Sequence, residues 1–347
     1  MYHIILTFGI LLLGFPALAG TIPQNAQQAM TQNHLTISNR GAAFKAYWDK
    51  YQQATDEEKL KGLKQEYIAQ FAAFYKKHLN MDDKALLGTL KFIGTHQQAF
   101  FDNFQYMERH MAPIAATTLN YYRQQNLHLT IYIDPLLQNG GEGIWLGKNQ
   151  GALLLSVPVL SRLELAPRIF SNSDHTLFNL FIAHELTHVI HQNMLGYDFD
   201  GKLQDINDIS IADITLFTEG LANYAASEIV GTPLKQAMIF YPEYMPGDGV
   251  PSFDELLQKY PAVEKITVKE ARDDKEKYRE YRAWFSPRGN IDDLMPFKPY
   301  PAIGYYLGSM LLQDYARQHQ LSVAELMQLD VVDDVPRIIQ GYTRRAP

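Results

Sequence analysis

The period of the hydrophobic pattern changes at Leu127. Between about residues 40 and 126, apolar side chains recur at every third or fourth position, which is the spacing of one buried helix face. This pattern predicts four helices, over residues 41–54, 56–78, 83–94 and 97–124. After Leu127 the pattern alternates with a period of two, which is typical of a strand with one buried face.

A small sheet is expected to follow the helical part. Leu127–Ile133 alternates and is rich in β-branched side chains, and a glycine-rich reversal over residues 139–147 leads to a second apolar run, Gly151–Val157. Because a reversal between two such runs favours a hairpin, we expect the sheet to be largely antiparallel. Three further helices are predicted, over about residues 176–194, 212–230 and 302–318.

These elements predict the fold class and a division of the chain. The class is α+β, with a mainly helical N-terminal region, a small antiparallel-rich sheet and a pair of long helices after the sheet. The length of 347 residues suggests two units, which we place at residues 20–126 and 127–347. One large domain is also compatible with this length.

Residues 1–19 have the features of a secretory signal peptide. The apolar run Ile4–Phe15 precedes Ala17-Leu-Ala19, a small-x-small sequence that is typical of a cleavage site. The run is shorter than the roughly 20 apolar residues that span a bilayer. We therefore expect an exported protein, periplasmic or extracellular, with no stable membrane anchor after cleavage. A buried N-terminal strand and an uncleaved anchor are the alternatives.

The composition restricts the chemistry of this chain. It contains no cysteine, so only His, Asp and Glu side chains could bind a transition metal. The net charge is -7, and a general affinity for nucleic acid requires a basic surface, so we expect no nucleic acid partner. The sequence contains neither a glycine-rich phosphate loop nor a G-x-S-x-G motif, so serine-based hydrolysis has no specific support.

The predicted helix over residues 176–194 contains the sequence His184-Glu185-Leu-Thr-His188. Residues four positions apart lie on the same helix face, with about 6 Å between them. Two imidazoles at that spacing can bind one metal ion, each at about 2.0 to 2.1 Å. Glu185 lies next to the first histidine and can contact a water molecule on the ion without being a ligand itself.

A catalytic zinc site needs a third protein ligand and one open position. His191 lies on the same face but about 10 Å along the axis from His184, so we interpret it as a residue beside the ligands or on the helix face. Glu219 is the preferred candidate, because a glutamate inside an apolar helix is costly to bury without a cation. Asp213 and Glu228, nearer the ends of that helix, are weaker alternatives.

Two further features of the helix over residues 212–230 concern its neighbours. Asn223 is one turn after Glu219 and so can hydrogen bond the outer nitrogen of a ligand histidine. Gly220 and the alanines after it are small. Glycine inside a helix costs roughly 1 kcal/mol relative to alanine, so we expect it to serve close packing against the histidine helix.

His184-Glu-Leu-Thr-His188 followed by Thr218–Tyr224, which reads Thr-Glu-Gly-Leu-Ala-Asn-Tyr, resembles the gluzincin zinc peptidases. More narrowly, the chain resembles predicted zinc-dependent proteases of bacteria. The resemblance implies one Zn²⁺ per chain, bound by the two histidines and Glu219. It also implies that Glu185 is the general base that takes a proton from the attacking water.

The same resemblance implies two more parts of an active site. An edge strand aligns the peptide by backbone hydrogen bonds, and here it is expected at residues 143–145 or 152–157. A tyrosine near the C-terminus stabilises the oxyanion, and the segment Gly304–Gly308 offers Tyr306, which we slightly favour, and Tyr305. The alternative is that both tyrosines are core aromatics.

The sequence therefore predicts an exported zinc metallopeptidase that acts on a peptide or protein substrate. The first alternative is a zincin-like binding or scaffold protein with weak or no turnover, and the second is a helical interaction protein in which the motif is accidental. The chain differs from thermolysin-like enzymes in having Asn223 where they have an orienting aspartate. Cleavage specificity and oligomeric state are left open.

Overall fold

The computed structural model of the chain describes residues 33–138, 140–163, 166–199, 206–234, 251–285 and 302–344. The predicted signal peptide lies outside these ranges. No helix within them combines the length and the apolar character that a membrane crossing needs. The α+β class is confirmed, because helices surround one small sheet in the described part of the chain.

The described elements follow one another in this order. The strands are β1 (His34–Asn39), β2 (His128–Asp134), β3 (Gly141–Gly147) and β4 (Gln150–Ser156). The helices before β2 are α1 (Gly41–Tyr51), α2 (Asp56–Gly62), α3 (Ala72–His78), α4 (Asp83–Thr95) and α5 (Gln97–Tyr121). The sheet is followed by α6 (Val157–Ser161), α7 (Ala166–Ile169), α8 (Thr176–Leu195) and α9 (Ile211–Val230). The last helices are α10 (Phe253–Lys259), α11 (Pro261–Glu264), α12 (Val268–Asp273), α13 (Lys275–Phe285), α14 (Ile303–His319), α15 (Val323–Leu326) and α16 (Asp334–Thr343).

The predicted N-terminal helices are present, with one difference. Thr55 caps α2, since its hydroxyl accepts from the Glu58 backbone N–H and the Glu58 carboxylate accepts from the Thr55 N–H. The single helix expected over residues 56–78 is instead α2 and α3, joined by a π turn and a 3-10 turn over residues 63–71. A π turn holds one extra residue and so rotates the residues after it. Tyr67, at the end of this turn, is fully buried.

The region predicted to be helical, residues 20–126, also contains a strand. β1 pairs in parallel with β2, from His34 beside His128 to Asn39 beside Ile133. The mainly helical N-terminal region therefore also contributes one strand to the sheet. The partner of β1 is distant in the sequence, so no local pattern shows the pairing.

The strand order across the sheet is β1-β2-β4-β3. β1 and β2 are parallel, β2 and β4 are parallel, and β3 pairs antiparallel with β4. The expectation of a largely antiparallel sheet is therefore wrong. The reason is that the hairpin of β3 and β4 places β4, the second of its strands, beside β2. β4 is buried along almost its whole length, whereas β3 forms the edge of the sheet.

The three long helices predicted after the sheet are confirmed as α8, α9 and α14. Ser210 caps the start of α9, where its side chain accepts a hydrogen bond from the Asp213 backbone N–H. Gly196 and Gly231 end α8 and α9 in the left-handed conformation, with φ of 78° and 70°. These local signals explain why the sequence predicts the helix boundaries well.

Gly220 of α9 faces α14, not α8 as expected. A Cβ atom at Gly220 would overlap the backbone of Gly308, and one at Gly308 would overlap the Leu216 carbonyl. The two glycines therefore allow the backbones of α9 and α14 to touch. Close packing at Gly220 is confirmed, but the expected partner helix is wrong. α9 has apolar helical neighbours on more than one side, so the sequence alone does not show which of them Gly220 faces.

One continuous apolar core joins the N-terminal helices to the later ones. α5 packs on α8, and Tyr122, just after α5, shares a hydrogen bond of 3.0 Å with Thr187 of α8. Arg40, between β1 and α1, donates a hydrogen bond of 2.9 Å to buried Asp134 at the end of β2. The predicted boundary between residues 126 and 127 therefore lies inside one packed unit. In this unit the N-terminal helix α5 packs against α8.

Candidate metal centre

His184 and His188 extend from the middle of α8, a helix that is buried along most of its length. His184 is 2% exposed and His188 is 15% exposed. Their Nε2 atoms lie 3.2 Å apart. Two imidazole nitrogens at this distance repel one another unless a proton or a cation lies between them. The predicted placement of both rings on one helix face is confirmed.

Glu219 reaches the same point from the middle of α9. Its Oε2 lies 3.1 Å from His184 Nε2 and 3.4 Å from His188 Nε2. Donor atoms at the corners of a tetrahedral site with bonds of about 2.0 to 2.1 Å are separated by roughly 3.3 Å. The three side chains therefore fit one tetrahedrally bound ion. Within the described part of the chain, they are the one group of three or more His, Asp or Glu side chains placed to bind a metal.

The electrostatics of this group favour a cation. Burial alone raises the pKa of the Glu219 carboxyl, but the His188 and His184 rings outweigh it and hold the pKa well below its ordinary value. Burial alone lowers the pKa of His188, but the Glu219 carboxylate raises it above the ordinary value. A buried carboxylate needs a cationic partner. A proton on a ring or a metal ion between the three donor atoms meets this need.

Asn223 orients His184, as expected from its position one turn after Glu219. Its Oδ1 lies 3.0 Å from His184 Nδ1, and Asn223 is 2% exposed. Because an amide oxygen can only accept, Nδ1 carries the proton in this hydrogen bond. Nε2 is then the ring nitrogen of His184 that faces Glu219 and is left for a metal ion.

The other candidates on these two helices do not reach the donor atoms. His191 packs against Phe199 and Phe217, with ring centroids 4.9 and 5.8 Å away. The interpretation of His191 as a residue beside the metal ligands is therefore wrong. Burial lowers the pKa of His191 to about 3, so it is a neutral part of the core. Asp213 accepts a hydrogen bond of 2.8 Å from Tyr260, and Glu228 is exposed.

Glu185 lies beside the donor atoms, at the wall of a cavity that opens over them. It is 6% exposed. Burial raises the pKa of its carboxyl, and the nearby histidines only partly offset this effect. Glu185 thus places a second carboxylate beside the three donor atoms, on the wall of the same cavity.

Glycines allow β3 to approach α8 closely. A Cβ atom at Gly141 would lie 2.5 Å from the Glu185 carboxyl carbon, and one at Gly143 would lie 3.2 Å from the His188 Cβ. A side chain at Gly141 would displace the Glu185 carboxyl, and one at Gly143 would be tight against α8. The glycine-rich reversal predicted over residues 139–147 is mostly the edge strand β3, which includes the residues 143–145 that were one of the two segments expected to form such a strand.

Tyr305 of α14 is the tyrosine at the site. Its ring stacks on His184, with centroids 6.3 Å and planes 13° apart. Burial raises its pKa, and a hydrogen bond with the Glu219 carboxylate adds to this, so the pKa lies well above its ordinary value. Tyr306 is 3% exposed and does not line the cavity. The slight preference for Tyr306 is therefore wrong.

The cavity over the donor atoms has a volume of about 440 Å³. β3 forms one wall, the first half of α9 forms another, and Tyr281 of α13 also lines it. The Tyr281 hydroxyl lies 3.0 Å from Thr215 Oγ1. Sequence reasoning missed Tyr281, Asp198 and Gln192. Gln192 alone carried a signal, since it is one helical turn after His188.

No protein-family model, curated protein or solved structure matches the chain. The case for a metal centre therefore comes from the side chains themselves. Two imidazoles and one carboxylate converge with the separations of a tetrahedral site, and a second carboxylate stands beside them.

Proposed function

We propose that this chain is a zinc-dependent peptidase of the gluzincin type. The observation that carries the proposal is the separation of the donor atoms of His184, His188 and Glu219, from 3.1 to 3.4 Å, with Glu185 beside them. Export through a signal peptide at residues 1–19 is part of the same proposal.

The donor set supports zinc as the metal. Two imidazoles and one carboxylate, without thiolates, are the ligands of catalytic zinc in several hydrolases, and they leave a fourth position open. Calcium and magnesium prefer sites made of oxygen atoms alone. The hydrogen bond from His184 to Asn223 also supports a transition metal, because it holds the ring with Nε2 towards the other donor atoms, as a ligand imidazole requires.

Glu185 is proposed to move the proton in the reaction. Zinc, when bound, supplies a Lewis acid that lowers the pKa of water towards about 7 and polarises a carbonyl group. The Glu185 carboxylate accepts the proton of the attacking water and then donates it to the leaving nitrogen.

Tyr305 is proposed to stabilise the oxyanion that forms on the substrate carbonyl. A phenol with a pKa well above its ordinary value keeps its proton and can donate it in a hydrogen bond. The ring of Tyr305 already lies beside His184 and lines the cavity.

β3 is proposed to align the substrate. The Ser156 N–H donates a hydrogen bond to the Gly140 carbonyl. Because hydrogen-bonded residues alternate along an antiparallel strand, the backbone groups of Glu142 also point to β4. The backbone groups of Gly141 and Gly143 point the other way, to the free edge of the sheet. An extended peptide can add to such an edge by main-chain hydrogen bonds. Of the two segments considered from the sequence, the one at residues 143–145 lies on this edge strand, whereas residues 152–157 lie inside the sheet and just after it.

The test is hydrolysis of an unstructured protein by the zinc-loaded chain and by its Glu185→Gln variant. We expect the variant to bind about one zinc per chain and to lose about 10²- to 10⁴-fold in rate, because it keeps the ligands and loses the base. Glu228→Gln, which removes an exposed carboxylate of α9, is the matched control and should keep full activity.

Two results would contradict the proposal. Full activity of Glu185→Gln would show that this carboxylate is not the base. Zinc bound by His184, His188 and Glu219 without any hydrolysis would support the alternative of a binding or scaffold protein.

A further inference from the structure

The cavity continues past the donor atoms along the first half of α9. α8 and α9 run antiparallel, since His184 contacts Asn223 whereas His191, about two turns later, contacts Phe217. In the described part of the chain, the α9 residues that line the cavity lie at or before Glu219, namely Ile211, Ile214, Thr215, Thr218 and Glu219 itself. A substrate at the donor atoms therefore has room beside the first half of α9.

Tyr281 of α13 brings a hydroxyl to this part of the cavity. The hydroxyl lies 3.0 Å from Oγ1 of Thr215, which is about one helical turn before Glu219. The Tyr281 ring packs on Phe285, with centroids 5.3 Å apart, and Phe285 occupies the space that a side chain at Gly304 of α14 would need. The packing of α13 on α14 therefore helps to fix the position of the Tyr281 ring.

The direction of the hydrogen bond between Tyr281 and Thr215 follows from the second partner of Thr215. Thr215 Oγ1 donates a hydrogen bond of 2.9 Å to the Ile211 carbonyl, one turn earlier in α9. A hydroxyl has one proton, so Thr215 can only accept from Tyr281. The Tyr281 hydroxyl therefore donates to Thr215, and its oxygen is left as an acceptor at the cavity.

The two tyrosines that line the cavity thus have opposite hydrogen-bonding roles. Burial raises the pKa of Tyr281 to about 12, although the hydrogen bond with Thr215 opposes this rise, so the phenol is neutral at physiological pH. Tyr305 hydrogen bonds the Glu219 carboxylate, which can only accept, so Tyr305 is a donor. A peptide backbone offers one carbonyl acceptor and one N–H donor per residue, which match a donor and an acceptor on the protein.

We propose that Tyr281 binds the substrate by accepting a hydrogen bond from a backbone N–H close to the scissile peptide bond. The inference rests on the proposed function and adds a substrate contact to the same site. In an extended peptide, successive N–H groups point to opposite sides. Those that point away from β3 need a partner elsewhere in the cavity, and the Tyr281 oxygen is such a partner.

Binding can be measured without turnover on the zinc-loaded Glu185→Gln variant. The probes are trialanines with a hydroxamate, a zinc-binding group that fixes the register, at either the N-terminal or the C-terminal end. Acetohydroxamate, which binds zinc without a peptide, is the reference. We expect Tyr281→Phe to weaken at least one trialanine probe about three- to tenfold, the usual effect of one hydrogen bond, and to leave acetohydroxamate binding unchanged. Unchanged affinity for both trialanine probes would overturn the inference.

Ester analogues separate a hydrogen bond from a change in the shape of the cavity. Each analogue of the weakened probe has one peptide N–H replaced by an ester oxygen. We expect one analogue to bind as weakly as the amide probe binds to Tyr281→Phe, and Tyr281→Phe to weaken that analogue no further. If Tyr281→Phe weakens every ester analogue as much as the amide probe, the hydroxyl does not accept from the substrate and the inference is wrong.

Tyr278→Phe is the matched control. Tyr278 lies on the same helix, is 44% exposed and does not line the cavity. Its change to phenylalanine should leave the affinities of all probes as they are. An equal loss in Tyr278→Phe and Tyr281→Phe would assign the effect to α13 as a whole and would contradict the contact proposed for Tyr281.

The two proposals fail in different ways. If the zinc-loaded wild-type chain hydrolyses no protein but Tyr281→Phe weakens a trialanine probe, the peptidase proposal fails and Tyr281 remains a peptide contact. If the wild-type chain hydrolyses protein and Tyr281→Phe changes neither affinity, the contact fails and the peptidase proposal stands. If acetohydroxamate does not bind, the zinc site and both proposals fail.

Discussion

The hydrogen bond between His184 Nδ1 and Asn223 Oδ1 is the smallest part of the site with a testable role. Asn223→Ala removes the acceptor and leaves the ring free to turn or to change tautomer. We expect this change to weaken zinc binding about 10- to 100-fold, which is the usual cost of losing such a partner. The measurement is competitive zinc titration against a chromophoric chelator.

Asn223→Asp serves as the conservative control for that experiment. A carboxylate can accept the same hydrogen bond, so zinc affinity should be kept or increased. Equal loss in both variants would mean that Asn223 acts through packing, and unchanged affinity in Asn223→Ala would remove its orienting role.

Neighbouring tyrosines provide a second test at the scale of single residues. Tyr305→Phe removes a hydroxyl at the cavity, whereas Tyr306→Phe removes one from a buried side chain outside it. We expect Tyr305→Phe to lower kcat on the order of 10²-fold with little change in KM, because an oxyanion donor acts mainly in the transition state. Steady-state kinetics should show no such loss for Tyr306→Phe, and the reverse pattern would contradict the assignment.

Much of the site could be predicted from residues alone. The spacing of His184 and His188 fixes their common helix face, and a glutamate inside an apolar helix marks Glu219. The choice between Tyr305 and Tyr306 could not be made, because adjacent helical residues point about 100° apart and the rotation of α14 depends on its packing. That packing is set by contacts between helices, which the sequence pattern does not specify.

The crossing of α9 and α14 is the contact between elements that most directly affects the site, since these helices carry Glu219 and Tyr305. Gly220→Ala or Gly308→Ala would place a methyl group against the opposing backbone, which cannot move aside as a side chain can. We expect each change to lower the free energy of unfolding by about 1 to 3 kcal/mol, as overpacking usually does. Chemical denaturation measures it.

Gly88 provides the matched control for this prediction. It lies in α4, and a Cβ atom there would meet nothing within 4 Å. Gly88→Ala should therefore raise the free energy of unfolding by about 0.5 to 1 kcal/mol, because it removes only the entropic cost of a helical glycine. If Gly220→Ala and Gly88→Ala change stability alike, the close crossing is not a constraint.

Elements were predicted well where their signals are local. Ser210 and Gly231 define α9, and Thr55 with Glu58 defines the start of α2. The sheet was predicted poorly, because β1 pairs with a distant strand and β4 inserts beside β2, and neither event leaves a local pattern. The partner of Gly220 was missed for the same reason.

We expect metal binding to be coupled to the stability of the whole molecule, since α8 and α9 belong to the core that also includes the N-terminal helices. Zinc that binds only the folded chain should raise its stability by about 2.7 kcal/mol when free zinc is 100 times the dissociation constant. A thermal unfolding scan with and without chelator measures the effect. His188→Ala should show almost none of it.

The direction in which pH changes the stabilisation by zinc follows from the protonation of the histidines. Zinc binds the neutral imidazole, and the Glu219 carboxylate raises the pKa of His188, so protons compete with zinc from a higher pH than they would at an ordinary histidine. The stabilisation by zinc should therefore be largest at about pH 8 and should decrease as the pH falls to about 6. Stabilisation that grows on acidification would contradict this ligand set.

Anomalous scattering at the zinc edge, from a crystal of the zinc-loaded chain, tests the central claim most directly. We predict one strong peak at about 2.0 to 2.2 Å from His184 Nε2, His188 Nε2 and a Glu219 carboxylate oxygen, with the fourth position filled by solvent. A peak bound by other side chains, or none near these three atoms, would contradict the account.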